Sequence, residues 1–577
     1  MRLLILIAAV LAAVFGQCPT LNGPCRCAPS IFEPVAIICE NAGSLQNVIQ
    51  SVNAAKNIPI DSLTIVDTAM SSINANAFQG FTIIRLVLNR NTISRIDPQA
   101  FAGTLAESLV DIDLSDNQLR EVPTQALATL RVLKKLYLNR NRLTQLSPSS
   151  FTGLDGLLKL ELAGNKLSES SLGDSSVFRP LRTLNELSLE TNSLTVIPSA
   201  ALSNQRETMV NLNLGSNQVS ILIFLPIVLN RQIKINTVPL GALDFPNLSS
   251  LSLEFNGISE IRPEAFQGVP ILQYLYLTGN MFRQWNKQMF RFIGQLRTLA
   301  IGGTAIQQIP ADAFEFIPNL IRFEMSEAAV LEIQQGAFQR TRLIQAIIMN
   351  KNRLSVIRTD YFEGLEDLYA IDLEGNRIAE SQPRAFANLK SLRNLDISNN
   401  QLQTMPMDTF DGSFIPDPND RMVIFACRNP WLCDNRLLWF RNLVRTTDID
   451  IDKPGCTSVC ENSINNCPPI GTPLKDPDLC QPAQEGLMPG YVQNMVPYII
   501  LAILLTILML SILLLACIRY AMSHANRKRK VREADDVQSV FAASAYQSYN
   551  HDPAITYPQT EIDLPPARSL EDHYGPF

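Results

Sequence analysis

Hydrophobic residues recur through the middle of the chain with one spacing. One copy places Leu133, Leu136, Leu138 and Leu143 around a single polar residue, Asn141, and later copies keep the same register. Alternating leucines put their side chains on one face of a short strand and leave the residues between them on the other face. The pattern therefore predicts a series of short strands, each followed by a turn at the Asn position.

The register L-x-x-L-x-L-x-x-N-x-L is that of leucine-rich repeats. A single repeat cannot bury its own leucines, so neighbouring repeats stack into one continuous core. We predict an α/β-type repeat solenoid over residues 57–412, a horseshoe of about fourteen repeats with parallel strands on its concave face. A degenerate copy near Leu63 comes first, and the Asn position then falls at residues 91, 117, 141, 165, 192, 217, 256, 280, 304, 328, 352, 376 and 400.

Two further features belong to this array. Thr304 and Ala328 replace Asn in consecutive repeats, which indicates either a softer, more bent stretch or a substitution backed by water. A phenylalanine also recurs every 24 residues and predicts a spine of rings on the convex side. These residues are Phe266, Phe290, Phe314, Phe338, Phe362 and Phe386.

One interval between successive Asn positions of the repeat is too long. Asn217 and Asn256 are 39 residues apart, whereas the other intervals are 24 to 27 residues. The surplus lies at residues 221–234, an apolar stretch too short to span a membrane. It is either a hydrophobic loop that docks a partner or a segment absent from the mature message, and we favour the second. Sequencing a transcript across this stretch decides between them.

Longer apolar segments lie near both ends of the chain. Residues 1–16 have the charged start and apolar run of a signal peptide. Residues 496–518 form an uncharged run of 23 residues, long enough to cross the hydrocarbon core as one helix. Six basic residues follow between Arg519 and Arg532, so the positive-inside rule places the C-terminus in the cytoplasm. The sequence predicts a single-pass type I plasma-membrane protein with an extracellular N-terminus.

Ten of the eleven cysteines precede the membrane segment, in two clusters. This arrangement is typical of disulfide-bonded secreted domains. The clusters predict cysteine-rich caps at residues 17–45 and 421–481, which cover the ends of the solenoid. We assign no pairs in the second cluster and keep zinc bound by three of its cysteines (456, 460 and 467) as a less favoured alternative. That cluster consists of Cys427, Cys433, Cys456, Cys460, Cys467 and Cys480.

The remaining segments are expected to be exposed to solvent and not to form a second folded domain. Residues 482–495 are expected to form a stalk, and residues 519–577 a disordered cytoplasmic tail too short for a kinase or Toll-type domain. The one glycosylation sequon begins at Asn247. A tail adaptor could bind the tyrosines Tyr546, Tyr549, Tyr557 and Tyr574.

Composition argues against several classes of function. All three histidines lie in the tail, so the ectodomain has none for a catalytic triad or an imidazole metal site. The formal net charge of -6 does not favour a general nucleic-acid binder. We therefore predict a protein that is not an enzyme and has no cofactor, no metal and no nucleic-acid partner.

The register also identifies the side chains on the concave face. Its N-terminal third is expected to be basic (Arg85, Arg90, Lys135, Arg140 and Lys159), and its C-terminal third acidic. Aromatic side chains ringed by charge are typical of binding hot spots, and the alternative is a solvated face without a ligand. The candidate ligand face is Phe255, Tyr274, Tyr276, Arg140, Glu324 and Asp372.

The chain resembles the extracellular-leucine-rich-repeat-only transmembrane proteins of nematode epithelia. The resemblance rests on Cys25-Arg-Cys-Ala-Pro-Ser-Ile-Phe-Glu-Pro-Val-Ala-Ile-Ile-Cys39 and covers nearly the whole ectodomain, the membrane segment and the short tail. It implies the disulfides Cys18–Cys27 and Cys25–Cys39. It also implies a role in organising apical extracellular matrix and keeping epithelia intact. In the second cap, Asn435 stands where such caps usually have another cysteine.

These expectations leave two functions in competition. The favoured one is an apical cell-surface protein that binds an extracellular protein, glycan or matrix component. The alternative is an adhesion, guidance or innate-immune receptor or co-receptor that signals through recruited partners. Deleting residues 533–577 separates them, because only the receptor requires the tail.

Overall fold

The fold is known from a computed structural model of the 577-residue chain. Contacts divide the chain into a unit of residues 1–481 and a unit of residues 482–577, and every described residue belongs to the first. The structure describes residues 18–172, 176–218, 241–415, 420–447, 449–464 and 467–476, and the backbone of Thr237–Val238.

Several predicted segments lie outside the described residues. They are the signal peptide, the surplus stretch 221–234, the stalk, the membrane helix 496–518 and the tail. Within the part of the chain that the structure describes, no helix is both long and apolar enough to cross a bilayer.

One sheet of 18 strands runs through the described residues in chain order. Its first two strands form an antiparallel hairpin, and every later neighbour is parallel. Two strands at each end belong to the caps, which leaves fourteen in the repeats and confirms the predicted leucine-rich-repeat solenoid. The strands are Cys25–Cys27, Ala36–Glu40, Pro59–Val66, Thr82–Val87, Asp111–Asp113, Lys135–Tyr137, Lys159–Glu161, Glu186–Ser188, Asn211–Asn213, Ser250–Ser252, Tyr274–Tyr276, Thr298–Ala300, Arg322–Glu324, Ala346–Ile348, Ala370–Asp372, Asn394–Asp396, Met422–Phe425 and Ile449–Asp450.

Short parallel pairs and short helices complete the repeats and the caps. The pairs are Ser72–Ile73 with Arg95–Ile96, Thr237–Val238 with Glu260–Ile261, Gln308–Ile309 with Glu332–Ile333, Val356–Ile357 with Glu380–Ser381, and Leu432–Cys433 with Asn462–Ser463. The α-helices are Leu45–Ser51, Leu105–Ser108, Thr124–Leu127, Glu169–Leu172 and Leu438–Thr446. The 3₁₀-helices are Asn53–Ala55, Ser203–Gln205, Pro263–Phe266 and Lys287–Phe290.

The repeat leucines and the phenylalanine spine form one continuous core. Leu136 and Leu138 are fully buried, as are their counterparts in neighbouring repeats. All six spine phenylalanines are buried, and the rings of Phe314 and Phe338 stack with their centroids 5.1 Å apart. The predicted spine is confirmed, and it continues from Phe386 to Phe410 at 5.6 Å.

The Asn side chains form a ladder that joins neighbouring repeats. In a typical rung, Asn141 Nδ2 donates to Leu138 O at 3.1 Å in its own repeat and to Leu114 O at 2.9 Å in the preceding repeat. Its Oδ1 accepts from the N–H of Leu119 at 3.0 Å. Each rung therefore satisfies backbone groups that the turn would otherwise bury without partners.

The ladder is interrupted at the two positions that the sequence marks. Thr304 Oγ1 donates to Ile301 O within its own turn at 3.4 Å, and Ala328 has no polar side-chain atom. Both side chains remain buried. The full set of Asn bonds resumes at Asn352.

Disulfides close the caps at both ends of the sheet. Cys18 bonds to Cys27 and Cys25 to Cys39, the pairs that the resemblance implies. In the second cap the pairs are Cys427–Cys456 and Cys433–Cys460, and Cys467 is also disulfide-bonded. The zinc alternative for the second cap is therefore wrong, because all three of its cysteines are oxidised.

The sheet continues directly across the surplus stretch. The strand Asn211–Asn213 pairs with Ser250–Ser252 in the same register as all other neighbours. Asn256 Nδ2 likewise donates to Leu214 O at 3.1 Å. The repeats on either side therefore stack as if they were 24 to 27 residues apart in sequence.

Deleting residues 221–234 is expected to leave the fold intact. The shortened repeat has an ordinary length, and no strand pairing or ladder bond among the described residues is lost. The thermal unfolding midpoint should match that of the full chain, measured by circular dichroism. An unfolded deletion variant would show that the stretch is part of the repeat.

Candidate ligand-binding face

Two tyrosines stand next to each other at the centre of the concave face. They occupy the outward positions of the strand Tyr274–Tyr276, on either side of the buried Leu275. On the preceding strand their partners are Ser250 and Ser252, and on the following strand Thr298 and Ala300. Because neighbouring strands are about 4.8 Å apart, these small residues leave both sides of the tyrosine pair open.

Phe255 extends this aromatic group toward the ends of the strands. Its N–H donates to Thr278 O at 2.7 Å, in the same repeat as the tyrosines. Its ring lies over Gly279, where an added Cβ would fall only 2.4 Å from the ring atom Cδ1. Gly279 is therefore required for the position of the ring, and Phe255 remains partly exposed.

The structure brings together only part of the predicted ligand face. Phe255, Tyr274 and Tyr276 lie in adjacent repeats, and Glu324 is two strands away. Asp372 is four strands from the tyrosines, about 19 Å along the sheet, and Arg140 lies in the repeat five strands away. We therefore define the central aromatic face as Phe255, Tyr274 and Tyr276.

The N-terminal third of the concave face is not a basic surface. Arg85 pairs with Asp111 at 3.7 Å, and Lys159 Nζ lies 3.2 Å from carboxylate oxygens of both Glu161 and Glu186. In the turns that follow the strands, Arg90 pairs with Asp67 at 2.9 Å, and Arg140 donates to Asp116 at 2.6 Å. The prediction of a basic third is wrong, because carboxylates in the neighbouring repeats neutralise these cations.

The central aromatic face lies where these ion pairs stop. Apart from the two tyrosines, the outward positions of the four strands from Asn211–Asn213 to Thr298–Ala300 carry only Asn, Ser, Thr and Ala. Burial is the main effect that raises the pKa of Tyr276, and the nearby Glu254 carboxylate adds to it. The Tyr276 hydroxyl therefore stays neutral at physiological pH and can take part in hydrogen bonds.

A lysine from the C-terminal cap occupies the acidic third of the face. Carboxylate oxygens of Asp372, Glu374 and Asp396 lie within 4.8 Å of one another, close enough to hold a cation. Lys453 Nζ supplies that charge: it lies 2.8 Å from Glu374 and also forms an ion pair with Asp396. Sequence reasoning missed Lys453 because it lies outside the repeat register, 79 residues from Glu374.

Burial and pairing shift the pKa values of Asp372 and Lys453. Burial raises the pKa of Asp372, although its carboxylate accepts from the N–H of Glu374 and from Asn350 Nδ2. Burial alone would lower the pKa of Lys453, but its bonds to Asp396 and Glu374 raise it. The charged ammonium group of Lys453 therefore joins the second cap to the sheet by ion pairs.

The glycosylation candidate lies on the surface, away from these clusters. Asn247 is exposed, and its Nδ2 donates to Glu207 O at 2.9 Å. The sequon thus begins at an accessible asparagine, which is what attachment of a glycan requires.

Comparison with known proteins supports an extracellular leucine-rich-repeat protein. The leucine rich repeat family model matches residues 107–167, 246–306 and 342–402. Keratocan of Danio rerio is 26% identical over 262 residues, which cover 44% of this chain and 58% of keratocan. Podocan-like protein 1 of Homo sapiens is 27% identical over 227 residues, 38% of this chain and 39% of that protein. The chain thus spans roughly half the length of these relatives.

A solved leucine-rich-repeat protein of Leptospira interrogans has the same fold. It superposes with a TM-score of 0.52 at 20% identity and covers 71% of this chain and 99% of its own. At that identity the likeness concerns the fold alone.

Replacing Lys453 with Met should destabilise the ectodomain by about 1–3 kcal/mol, because Glu374 and Asp396 lose a partly buried partner. The raised pKa of Lys453 means that its contribution is fully present below the ordinary lysine pKa and is lost only as alkaline pH passes the folded value. The destabilisation should therefore be constant from about pH 6 to 9. Urea unfolding of the purified protein at these pH values measures it.

Lys351→Met is the matched control, because the Lys351 side chain pairs with Glu327 but is 60% exposed, against 22% for Lys453. An exposed pair is worth below about 1 kcal/mol. Equal effects of the two substitutions would contradict the assigned role of Lys453.

Proposed function

We propose that this chain is a cell-surface protein that binds an extracellular protein or glycan through the central aromatic face. The observation that carries the proposal is the contrast within one sheet: ion pairs cover the N-terminal third, whereas the strand positions on either side of Tyr274 and Tyr276 carry small uncharged residues. Tyrosines offer large contact area together with a hydroxyl group, and little charge must be desolvated when a partner covers them.

The proposed location follows from the caps and the predicted ends of the chain. Disulfides at both ends of the solenoid require an oxidising compartment during folding. We propose that a signal peptide at residues 1–16 directs the chain there and that residues 496–518 anchor it in the plasma membrane. The solenoid then lies outside the cell, with the short tail in the cytoplasm.

The proposed role is organisation of apical extracellular matrix and maintenance of epithelial integrity. It is supported by the resemblance of the first cap to nematode epithelial proteins. A broad concave sheet suits the binding of a large partner, and the ectodomain sequence has no histidine. Binding without catalysis is therefore the activity proposed.

Replacing Tyr274 and Tyr276 together with Ala should reduce binding to epithelial matrix by about thirtyfold or more. Removing two central aromatic anchors costs roughly 2 kcal/mol or more in other interfaces. The measurement is binding of purified labelled ectodomain to the apical surface of an epithelium that lacks the endogenous protein. Both side chains are partly exposed, so the fold should be retained.

Tyr369→Ala is the matched control, because Tyr369 is exposed but lies outside the central aromatic face. Its binding should equal that of the unaltered protein. If the double variant binds as well as the control, the central aromatic face is not the ligand site.

A further inference from the structure

Outward side chains of the concave sheet line up in two rows that cross the strands. One of them, called here the polar row, consists of Asn211, Ser250, Tyr274 and Thr298, which the strand register places opposite one another. The row spans three strand intervals, about 14 Å. All four side chains are partly exposed. A ligand that lies across the strands can therefore touch every member of the row.

The polar row keeps its hydrogen-bonding groups available. In the described part of the chain, no protein group bonds to the side-chain oxygen and nitrogen atoms of this row. The neighbouring outward row differs, because Asn213 Nδ2 donates to the Glu190 carboxylate at 2.9 Å and Ser252 Oγ donates to the Glu254 carboxylate at 3.3 Å. The polar row thus offers one carboxamide and three hydroxyl groups, each able to donate and to accept.

The charges at both ends of the polar row are already paired. Beyond Asn211, Glu186 pairs with Lys159 at 3.2 Å. Beyond Thr298, Arg322 pairs with Glu324 at 3.1 Å. No member of the row itself is ionised at physiological pH. A charged ligand would therefore have to compete with existing ion pairs, whereas an uncharged ligand would not.

Three further charges lie beside the row, at the ends of its strands. Arg297 directly precedes Thr298 and is exposed. Glu190 and Glu254 lie at the opposite ends of the strands, where they accept the hydrogen bonds from the neighbouring row. A polyanion such as a sulfated glycan would be repelled by these two carboxylates. Hydroxyl groups of an uncharged ligand, in contrast, can donate to them.

Resting on the proposed function, we propose that the ligand of the central aromatic face is an uncharged oligosaccharide that lies along the polar row. The C–H groups of one sugar ring pack against the Tyr274 ring, whose small neighbours Ser250 and Thr298 leave both of its sides open. Sugar hydroxyls then exchange hydrogen bonds with Ser250 and Thr298, and with Asn211 at the end of the row.

The polar row favours a glycan over a protein ligand. An apolar protein side chain that covers the tyrosines would also cover the flanking hydroxyl and carboxamide groups and leave them without partners, which costs free energy. An oligosaccharide carries several hydroxyls on every ring. It can therefore cover the aromatic group and satisfy the polar groups on neighbouring strands at the same time.

Binding of the full chain, purified in detergent, to immobilised tetrasaccharides tests the proposal. The uncharged probes are chitotetraose, cellotetraose and lacto-N-tetraose, and the charged probes are heparin and polylysine. At least one uncharged probe should bind, and its affinity should be unchanged when sodium chloride is raised from about 0.15 to 1 M, because no ion pair is formed. Failure of all three uncharged probes to bind overturns the proposal.

Substitutions in the polar row that keep both tyrosines locate the binding. Asn211→Ala and Thr298→Val should each weaken tetrasaccharide binding about fivefold through the loss of a hydrogen bond. Asn394→Ala is the matched control, because Asn394 is a partly exposed asparagine at the same strand position, four strands beyond Thr298. If the two row variants bind the tetrasaccharide as well as this control, the polar row is not its site.

Competition for epithelial matrix separates this inference from the proposed function. The tetrasaccharide that binds should displace the protein from the matrix. If matrix binding requires Tyr274 and Tyr276 but only heparin or polylysine displaces the protein, the glycan assignment is overturned and the central aromatic face remains the ligand site. If the double tyrosine variant binds the matrix normally, both proposals fail.

Discussion

The solenoid depends on one constraint: the turn that follows each strand is buried and must still satisfy its backbone groups. An asparagine side chain meets this demand because it both donates and accepts. Asn141 bonds to carbonyls in two repeats and accepts an N–H from the preceding one. Asn429 extends the same pattern into the second cap through Ile397 O. Wherever the asparagine is present, it helps to hold a strand at a fixed offset from its neighbour.

That fixed offset determines what the concave face can present. Because outward positions align across strands, opposite charges in neighbouring repeats meet and neutralise each other, as Lys159 does with Glu186. The proposed ligand face lies around Tyr274 and Tyr276, where the outward positions of the adjacent strands carry no such pairs. The same rigidity extends to the ends of the sheet, where Lys453 fastens one cap to the strands and disulfides close both.

The repeats could be read from the sequence because each is a local pattern that recurs. The buried leucines, the Asn row and the adjacency of the tyrosines all follow from the register alone. Contacts between segments that are distant in the sequence could not be predicted in this way. The pairing of Arg85 with Asp111 was overlooked because the sequence analysis considered the cations alone. Lys453 lies outside the register, so only the three-dimensional structure reveals its surroundings.

The central claim is that the Asn ladder holds neighbouring repeats in register, and residue-resolved hydrogen–deuterium exchange tests it most directly. The Ile258 N–H bonds to Asn280 Oδ1, whereas the amides at the same position in the next two repeats, Phe282 and Ile306, face Thr304 and Ala328. The account predicts slow exchange at Ile258 and clearly faster exchange at Phe282 and Ile306. Equal protection at all three amides would contradict it.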